Sequence, residues 1–387
     1  MVLTSSAIAP LRPTRQKDEL WGVDGDTYYY NGVSQVKCSA GGMWNSKEKR
    51  CVNTMQTLDA PPAPVAVLEA TGGIRSDRGL KPVTISVDGV QHAYQTPANP
   101  KGLVVFFHGC SRSIYGGWPP SANPKFWGMP EDVGRTKQCL RAGYAILYVG
   151  PHDSKTGCFS AKDGEDPSTS IKVIHQVRKI TGTSNKPLYL GGCSAGGGMI
   201  YRLVGQGKIK CDGMFAESAT KAEPTAKTPP SLWIVLATDR ELAAGKDMVQ
   251  IAARRKIPAD VLISPKRKIT PGFFADQFAS LSTENSARIA ASLNKSKVID
   301  ASGNIVADIK NNRKWYAVMG KDVRIPETQL PFWNSGIVQA MLTAEGKHDA
   351  VSMYMTAFLK WAETGFKARV TELATQYAVK SPAYVIV

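Results

Sequence analysis

Six short apolar runs recur along the middle of this chain, and they constrain its fold more than any other feature of the sequence. Each follows a turn signal, and in order they are GLVVFFHG (102–109), YAILYVGP (144–151), PLYLGGCS (187–194), CDGMFAES (211–218), SLWIVLATD (231–239) and ADVLISP (259–265). Near-continuous apolar runs of this length are typical of strands that are buried on both faces. The sequence therefore predicts a central sheet that is covered on both sides.

Helical segments separate these runs. DPSTSIKVIHQVRKITG (166–182) begins with an acidic residue and a proline, and its apolar residues then recur at helical spacing. Residues 240–256 follow a similar pattern. Because strands that alternate with helices form crossover connections, the sequence predicts an α/β fold with a mostly parallel sheet and helices on both faces. KPVTISVDGVQHAYQTP (81–97) turns at Asp88 and Gly89 and predicts an antiparallel hairpin at the sheet edge.

Residues 266–345 interrupt this rhythm and are predicted to form a cap-like insertion in a main domain of residues 80–387. Thr270 and Pro271 begin one predicted helix, and ENSARIAASLNKS (284–296) predicts a second. KVIDASGNIVAD (297–308) predicts a small hairpin. The insertion is thus expected to fold as a compact unit beside the sheet.

Three shorter pieces precede this domain. Residues 1–18 have the composition of a disordered segment or leader, residues 19–57 form a small module with clustered aromatic residues, and residues 58–79 form a linker. Cys38 and Cys51 bracket a short loop, which predicts a disulfide and favours a secreted or secretory-pathway location, with an organelle as the alternative. Two interpretations of the module stay open: its aromatic faces bind a polymer, or it packs on the main domain.

The composition limits the classes of partner that the chain can bind, but it does not identify one. The formal net charge of +16 attracts polyanions, but the basic residues are spread over the whole length. A solvated basic surface is therefore a better interpretation than a specific nucleic-acid site. No apolar run is long enough to cross a membrane, and the seven cysteines show no metal-ligand spacing. We expect neither a metal nor another cofactor, and nothing in the composition indicates an oligomeric state.

One of the six runs leads into a glycine-rich corner. Ser194 is the centre of GCSAG (192–196), a G-x-S-x-G pattern at a predicted strand-to-helix turn. Small residues on either side allow a sharp turn that lifts the serine hydroxyl above the sheet. A phosphate-binding loop is the alternative, but the sequence lacks the motifs of nucleotide sites there. Ser194 is therefore the predicted nucleophile, and the Cys193 side chain is expected to face the interior.

A serine hydroxyl is a weak nucleophile until a base removes its proton, and the chain has five histidines. His348 precedes a segment with one apolar helical face and is the predicted base, with an ordinary helix-start histidine as the alternative. His152 follows a predicted strand and is a rival base. His108 is expected to hold a loop, whereas His92 and His175 are expected to be packing or surface residues.

Asp239 is the predicted carboxylate partner of this histidine. It ends SLWIVLATD, so it should emerge at the same edge of the sheet as Ser194, and Glu241 is the nearby alternative. A carboxylate in this place fixes the tautomer of the imidazole and stabilises its protonated form. Ser194, Asp239 and His348, in this order along the chain, then form a complete catalytic triad.

The segment FFHGCSRS (106–113) is predicted to supply part of an oxyanion hole. It ends an early strand, where the backbone N–H of Cys110 or Ser111 can point toward that of Ala195. The loop that follows, at residues 112–132, carries aromatic side chains. Three of them are predicted to line an apolar substrate pocket, with packing of the loop on itself as the alternative: Tyr115, Trp118 and Trp127.

Over about residues 80–265, together with His348 and the segment after it, the chain resembles the α/β-hydrolase superfamily. VVFFHGC (104–110) and GCSAGGGM (192–199) are similar to polyhydroxyalkanoate-depolymerase-like and feruloyl-esterase-like members in particular, and residues 269–306 resemble an insertion in plant and algal members. The resemblance implies an α/β-hydrolase fold and the cleavage of carboxylic esters through an acyl-enzyme, without a cofactor. The chain departs from the pattern of this superfamily at two points: Cys193 precedes the nucleophile, and His348 comes late, after a long insertion.

The sequence thus predicts a serine hydrolase of carboxylic esters, with polymeric and aromatic esters among the candidate substrates. A second hypothesis comes from another class of protein. In it, the basic surface or the N-terminal aromatic module holds a polymer or polyanion on a hydrolase scaffold that has no activity. Reaction of Ser194 with an active-site reagent separates the two.

Overall fold

The computed structural model divides into two units, Met1–Ala63 and Pro64–Val387. It describes five strands of the first unit, and residues 74–160, 164–220 and 223–387 of the second. The predicted leader, Cys38 and the side chain of Cys51 lie outside the described residues, as does most of the predicted linker. The Cys38–Cys51 disulfide and the domain boundaries therefore stay predictions.

The strands of the first unit are short and antiparallel. They are β1 (Trp21–Asp24), β2 (Thr27–Tyr30), β3 (Val33–Lys37), β4 (Gly42–Asn45) and β5 (Arg50–Asn53). β2 pairs with both β1 and β3, and β4 pairs with β5. Many aromatic residues of the predicted module therefore lie on strands.

An eight-stranded sheet forms the centre of the second unit. Its strands are β6 (Val83–Val87), β7 (Val90–Gln95), β8 (Leu103–Phe107), β9 (Ala145–Val149), β10 (Leu188–Cys193), β11 (Gly213–Glu217), β12 (Ser231–Leu236) and β13 (Ala259–Ser264). Across the sheet they run in the order β6, β7, β9, β8, β10, β11, β12, β13. β7 is antiparallel to both neighbours and the others pair in parallel, as the six apolar runs and the hairpin predicted.

Each central strand is buried on both faces because alternate side chains point to opposite sides. Phe106 and Tyr148 belong to one hydrophobic cluster, whereas Phe107 and Leu147 belong to another on the opposite face. Helices cover both clusters. The α-helices of the described residues are α1 (Pro130–Arg141), α2 (Glu165–Ile180), α3 (Ala195–Gly205), α4 (Leu242–Arg254), α5 (Phe273–Gln277), α6 (Thr283–Lys295), α7 (Lys314–Val323), α8 (Gly336–Glu345), α9 (Met355–Glu363) and α10 (Val370–Tyr377). α1 and α9 pack on the first face, and α2, α3 and α4 on the second.

The predicted insertion has a hydrophobic cluster of its own, built from α5 to α8 around Phe274, Leu293 and Met341. The small hairpin predicted near its centre is present in reduced form, as one antiparallel bridge between Ile299 and Ile305. The Asp300 side chain accepts the backbone N–H groups of Ser302 and Asn304, which tightens the turn between them. Within the described residues, no helix combines the length and the apolar character that crossing a membrane demands.

Candidate active site

Ser194 occupies a sharp turn between β10 and α3, with φ 50° and ψ −113°. A non-glycine residue rarely adopts positive φ, and such strain clusters at functional sites. The flanking glycines are required because a Cβ on Gly196 would lie 2.0 Å from the Phe107 carbonyl oxygen. The Ser194 N–H donates to the Glu217 carbonyl on β11 at 3.0 Å, which fixes the turn to the sheet.

This turn and the order of the strands decide the fold. A mostly parallel sheet with one antiparallel strand near its edge, and a serine at the turn from a central strand to a helix, are the features of one large fold class. The chain has the α/β-hydrolase fold. The fold predicted from the sequence is therefore confirmed.

Three side chains from distant parts of the chain meet at this edge of the sheet. His348 Nε2 lies 2.9 Å from Ser194 Oγ, and His348 Nδ1 lies 3.1 Å from Asp239 Oδ2. The segments that carry Asp239 and His348 are held together by Thr238, whose N–H and hydroxyl both donate to the Gly346 carbonyl. The predicted nucleophile, base and carboxylate are thus in contact in the predicted arrangement.

Asp239 is held as a carboxylate. Burial alone would raise its pKa, but hydrogen bonds to its carboxylate, first of all from His348, outweigh burial, and the pKa lies below its usual value. An ionised Asp239 accepts a hydrogen bond from His348 Nδ1–H, which leaves Nε2 free to accept the Ser194 proton. The alternative carboxylate, Glu241, accepts the Thr220 hydroxyl at 2.5 Å instead.

The loop after β8 lies against the nucleophile, because a Cβ on Gly109 would be 3.5 Å from Ser194 Cβ. Ala195 is the first residue of α3, and the first N–H groups of a helix have no carbonyl partner within it. The prediction that Ser111 supplies a second free N–H is wrong, since this N–H donates to the Thr156 carbonyl at 2.8 Å. Cys110 is left as the second predicted donor, and its oxyanion role stays a prediction.

Arg112 connects three parts of the site and was not predicted from the sequence. Its guanidinium forms an ion pair with Asp349, the neighbour of His348, and donates to the Trp333 carbonyl of the insertion at 2.5 Å. The Ser218 hydroxyl donates to the Asp349 carbonyl at 3.0 Å. Arg112 therefore holds the loop after β8, the histidine loop and the insertion together.

The remaining predicted candidates take structural roles. His152 Nε2 lies 2.9 Å from the Thr169 hydroxyl, and His108 is buried, with Nδ1 2.9 Å from the Gly109 carbonyl. His175 is exposed on α2.

Cys193 is buried, and burial raises the pKa of its thiol well above the usual value. The thiol therefore stays protonated and behaves as a small apolar group.

His92 gives the fold a testable dependence on pH. Burial lowers the pKa of His92 to about 4, and the nearby His152 adds to the effect. Between the usual pKa of 6.5 and about 4, the unfolded chain binds a proton that the folded chain does not. Stability is therefore lost as the pH falls through this window, by an amount approaching about 3 kcal/mol.

Replacing His92 with asparagine is expected to remove this part of the acid destabilisation. An amide oxygen can replace Nδ1 as acceptor for the Gly150 N–H, but it binds no proton in this range. Denaturant unfolding near neutral pH and at about pH 4.5 measures the effect. The variant should lose less stability between the two than the wild type, and an equal loss in both proteins would contradict the assignment.

A cavity of about 630 Å³ opens beside the loop after β8. Tyr115 and Trp127 line it, but about half of its wall is polar and includes Asp88, Gln91, His152, Lys155 and Asn334. The prediction that Trp118 lines a pocket is wrong. Its ring is fully buried against Phe126 and Tyr148, and its Nε1–H donates to Gln95.

Comparisons with known proteins give a distant likeness to enzymes of this fold. No protein-family model and no curated protein matches the sequence. Solved structures with a similar fold include a hormone-sensitive lipase from a metagenome library, with 15% identity, 55% of this chain and 85% of that chain covered, and a TM-score of 0.36. Carboxyl esterase 2 from the mycorrhizal fungus Tuber melanosporum has 12% identity, 53% and 88% coverage and a TM-score of 0.37.

An arylesterase is similar at the same level, with 13% identity, 52% of this chain and 82% of that chain covered, and a TM-score of 0.36. Scores this low decide neither the fold nor the activity of this chain. The fold rests on the strand order of the chain itself.

Proposed function

We propose that this protein is a serine hydrolase that cleaves carboxylic esters through an acyl-enzyme. The observation that carries the proposal is the unbroken line of contacts from Ser194 Oγ through the His348 ring to the Asp239 carboxylate. Nucleophile, base and orienting acid are each within hydrogen-bond reach of the next, as acyl transfer requires.

In the first half of the reaction, His348 Nε2 takes the Ser194 proton while Oγ attacks the ester carbonyl carbon. The carbonyl oxygen becomes an oxyanion, and the N–H of Ala195 at the α3 N-terminus and that of Cys110 are its proposed donors. The intermediate then collapses: the bond to the alcohol oxygen breaks, and His348 returns the proton to the leaving alcohol. Water repeats the sequence on the acyl-enzyme and releases the acid.

Asp239 supports both halves by stabilising the imidazolium that forms each time His348 holds the proton. Its lowered pKa favours the carboxylate form that this role requires. The buried position of its side chain keeps water from competing for the hydrogen bond to His348.

The cavity beside the loop after β8 is the proposed substrate pocket. Its volume falls within the roughly 300–1,000 Å³ that is usual for small-molecule sites. Because about half of its wall is polar, it offers only part of the gain of about 0.8 kcal/mol per methylene that a long alkyl chain obtains in an apolar tunnel. Tyr115 and Trp127 provide ring faces for an aromatic or compact acyl group.

A panel of p-nitrophenyl esters tests this proposal. We expect kcat/KM for the butyrate to exceed that for the laurate at least about tenfold, because the polar half of the wall does not reward added methylenes. Methyl ferulate and an oligomer of 3-hydroxybutyrate test the two finer resemblances. Hydrolysis no faster than with heat-denatured protein would reject the function, whereas a kcat/KM that rises with chain length would reject the pocket alone.

A further inference from the structure

A disulfide ties the loop after β8 to the loop after β9. It joins Cys110 to Cys158, 48 residues apart in the chain. β8 ends at Phe107 and β9 ends at Val149, so both cysteines lie beyond the paired ends of these parallel strands. The strand ladder holds β8 and β9 together without the disulfide. The bond therefore constrains the two loops rather than the sheet.

The residue on one end of this disulfide is the proposed oxyanion donor. Gly109 lies against Ser194, and Cys110 follows it directly. On the other side, the Ser111 N–H is bonded to the Thr156 carbonyl, and Ser111 has a φ of 62°, which a serine rarely adopts. The disulfide reinforces this contact by joining the same two loops through Cys110 itself. The direction of the Cys110 N–H therefore depends on the link to the second loop.

The disulfide lies where an external thiol can reach it. Cys110 is exposed and Cys158 is half-buried. Among the described residues, the unpaired cysteines are Cys139, Cys193 and Cys211, of which the first two are buried. A dithiol reduces disulfides and does not react with free thiols, so its reaction with the described part of the folded chain is directed to the Cys110–Cys158 bond.

We propose that the Cys110–Cys158 disulfide is a redox-modifiable site that positions the oxyanion donor, and that its reduction by a dithiol slows ester hydrolysis. The inference rests on the proposed function. In this proposal Cys158 is a positioning residue, because its bond to Cys110 holds the N–H of Cys110 in place.

The reduction balances with a dithiol as the two-electron donor. One thiolate of the dithiol attacks a protein sulfur, the protein S–S bond breaks, and the other cysteine leaves as a thiolate and takes up a proton. The second thiol of the reagent then displaces the first cysteine from the mixed disulfide. The products are two protein thiols and the oxidised reagent.

Reduction is expected to lower kcat about tenfold and to change KM by less than about twofold. Oxyanion donors act mainly on the transition state, so a displaced donor lowers kcat rather than substrate affinity. The effect is smaller than the roughly hundred- to thousandfold loss on deleting a donor, because the Ser111–Thr156 hydrogen bond still restrains the loop.

The experiment measures p-nitrophenyl butyrate hydrolysis by the full chain when oxidised, after dithiothreitol and after reoxidation. Alkylation and mass spectrometry report the state of Cys110 and Cys158, and circular dichroism reports the fold. Cys158→Ser should show the reduced rate without reductant and should not respond to it. Cys51→Ser is the matched control and should respond like the wild type.

Three outcomes overturn the inference in distinguishable ways. If oxidised wild type hydrolyses the ester and reduced wild type, with both thiols alkylated, keeps its kcat within about twofold, the positioning role is wrong while the proposed function stands. If reduction abolishes secondary structure, the disulfide supports the fold rather than the donor. If the oxidised chain is inactive, the proposed function fails and this inference fails with it. Should Cys158→Ser not fold, the reversible change in the wild type decides.

Discussion

Replacing Ser194 with alanine is expected to lower kcat for ester hydrolysis by at least about 10⁴-fold. The substitution removes the only atom that can form the acyl bond at this turn, while His348 and Asp239 keep their contact. Loss of the nucleophile of such a triad costs nearly as much as loss of all three residues, since the histidine and the carboxylate then have nothing to activate. Steady-state assays with p-nitrophenyl butyrate measure the change in kcat.

Ser302→Ala is the matched control, because Ser302 is an exposed serine in the turn of the insertion. It should keep wild-type kcat within about twofold, as surface substitutions usually do. The Ser194→Ala variant should also keep its unfolding midpoint near that of the wild type. A Ser194→Ala protein with more than about a tenth of wild-type kcat would show that the hydrolysis takes place elsewhere.

The largest effect on stability is expected at Arg135, which is fully buried below the active-site edge. Its guanidinium forms two hydrogen bonds with Glu217, at 2.6 and 3.2 Å, and a third with Asp132 at 2.9 Å. It also stacks on the Phe106 ring at 3.6 Å. Glu217 in turn accepts the Val351 N–H of the histidine loop, so this cluster joins α1, β11 and that loop.

Arg135→Met should lower the free energy of unfolding by about 3–5 kcal/mol. The methionine fills much of the space, but it leaves two carboxyl groups buried without their cation, and an unpaired buried charge is costly. Denaturant unfolding measures the loss.

Arg369→Met is the control for this substitution, because the Arg369–Glu372 pair is largely exposed and exposed ion pairs add little to stability. It should leave the unfolding free energy within about 0.5 kcal/mol of the wild-type value. A similar small change for Arg135→Met would mean that the cluster is not the stabilising element described here.

The strands and the triad were predictable because each leaves a local pattern in the sequence. A strand buried on both faces is a short apolar run, and Ser194 stands among small residues that only a sharp turn requires. Asp239 could be chosen because it ends an apolar run, and the carboxyl ends of parallel strands meet at one edge. These patterns need no knowledge of distant contacts.

Helix α1 was not predicted because much of its buried surface is polar. Glu131, Asp132, Arg135, Lys137 and Gln138 are all buried, so the helix shows little of the apolar periodicity by which helices are recognised. Their burial depends on partners elsewhere in the chain: Arg267 for Glu131, Glu217 for Arg135 and Ser352 for Gln138. Such pairs can be found only after the fold is known.

The errors at the site have the same origin. Ser111 and Cys110 are adjacent, and only the carbonyl of Thr156, on another loop, decides which N–H is engaged. Trp118 and Trp127 share one aromatic loop, but Trp118 turns into the core, where Gln95 accepts its Nε1–H. The role of Arg112 depends on Asp349, 237 residues away. In each case the deciding contact is tertiary.

The central claim is that Ser194 is an activated nucleophile, and labelling with a fluorophosphonate tests it most directly. We expect one label per wild-type chain, mapped by mass spectrometry to the peptide that contains Ser194, and none on Ser194→Ala under the same conditions. An unlabelled wild-type chain that binds polyanions with steep salt dependence would contradict the claim and favour a binding protein on a hydrolase scaffold.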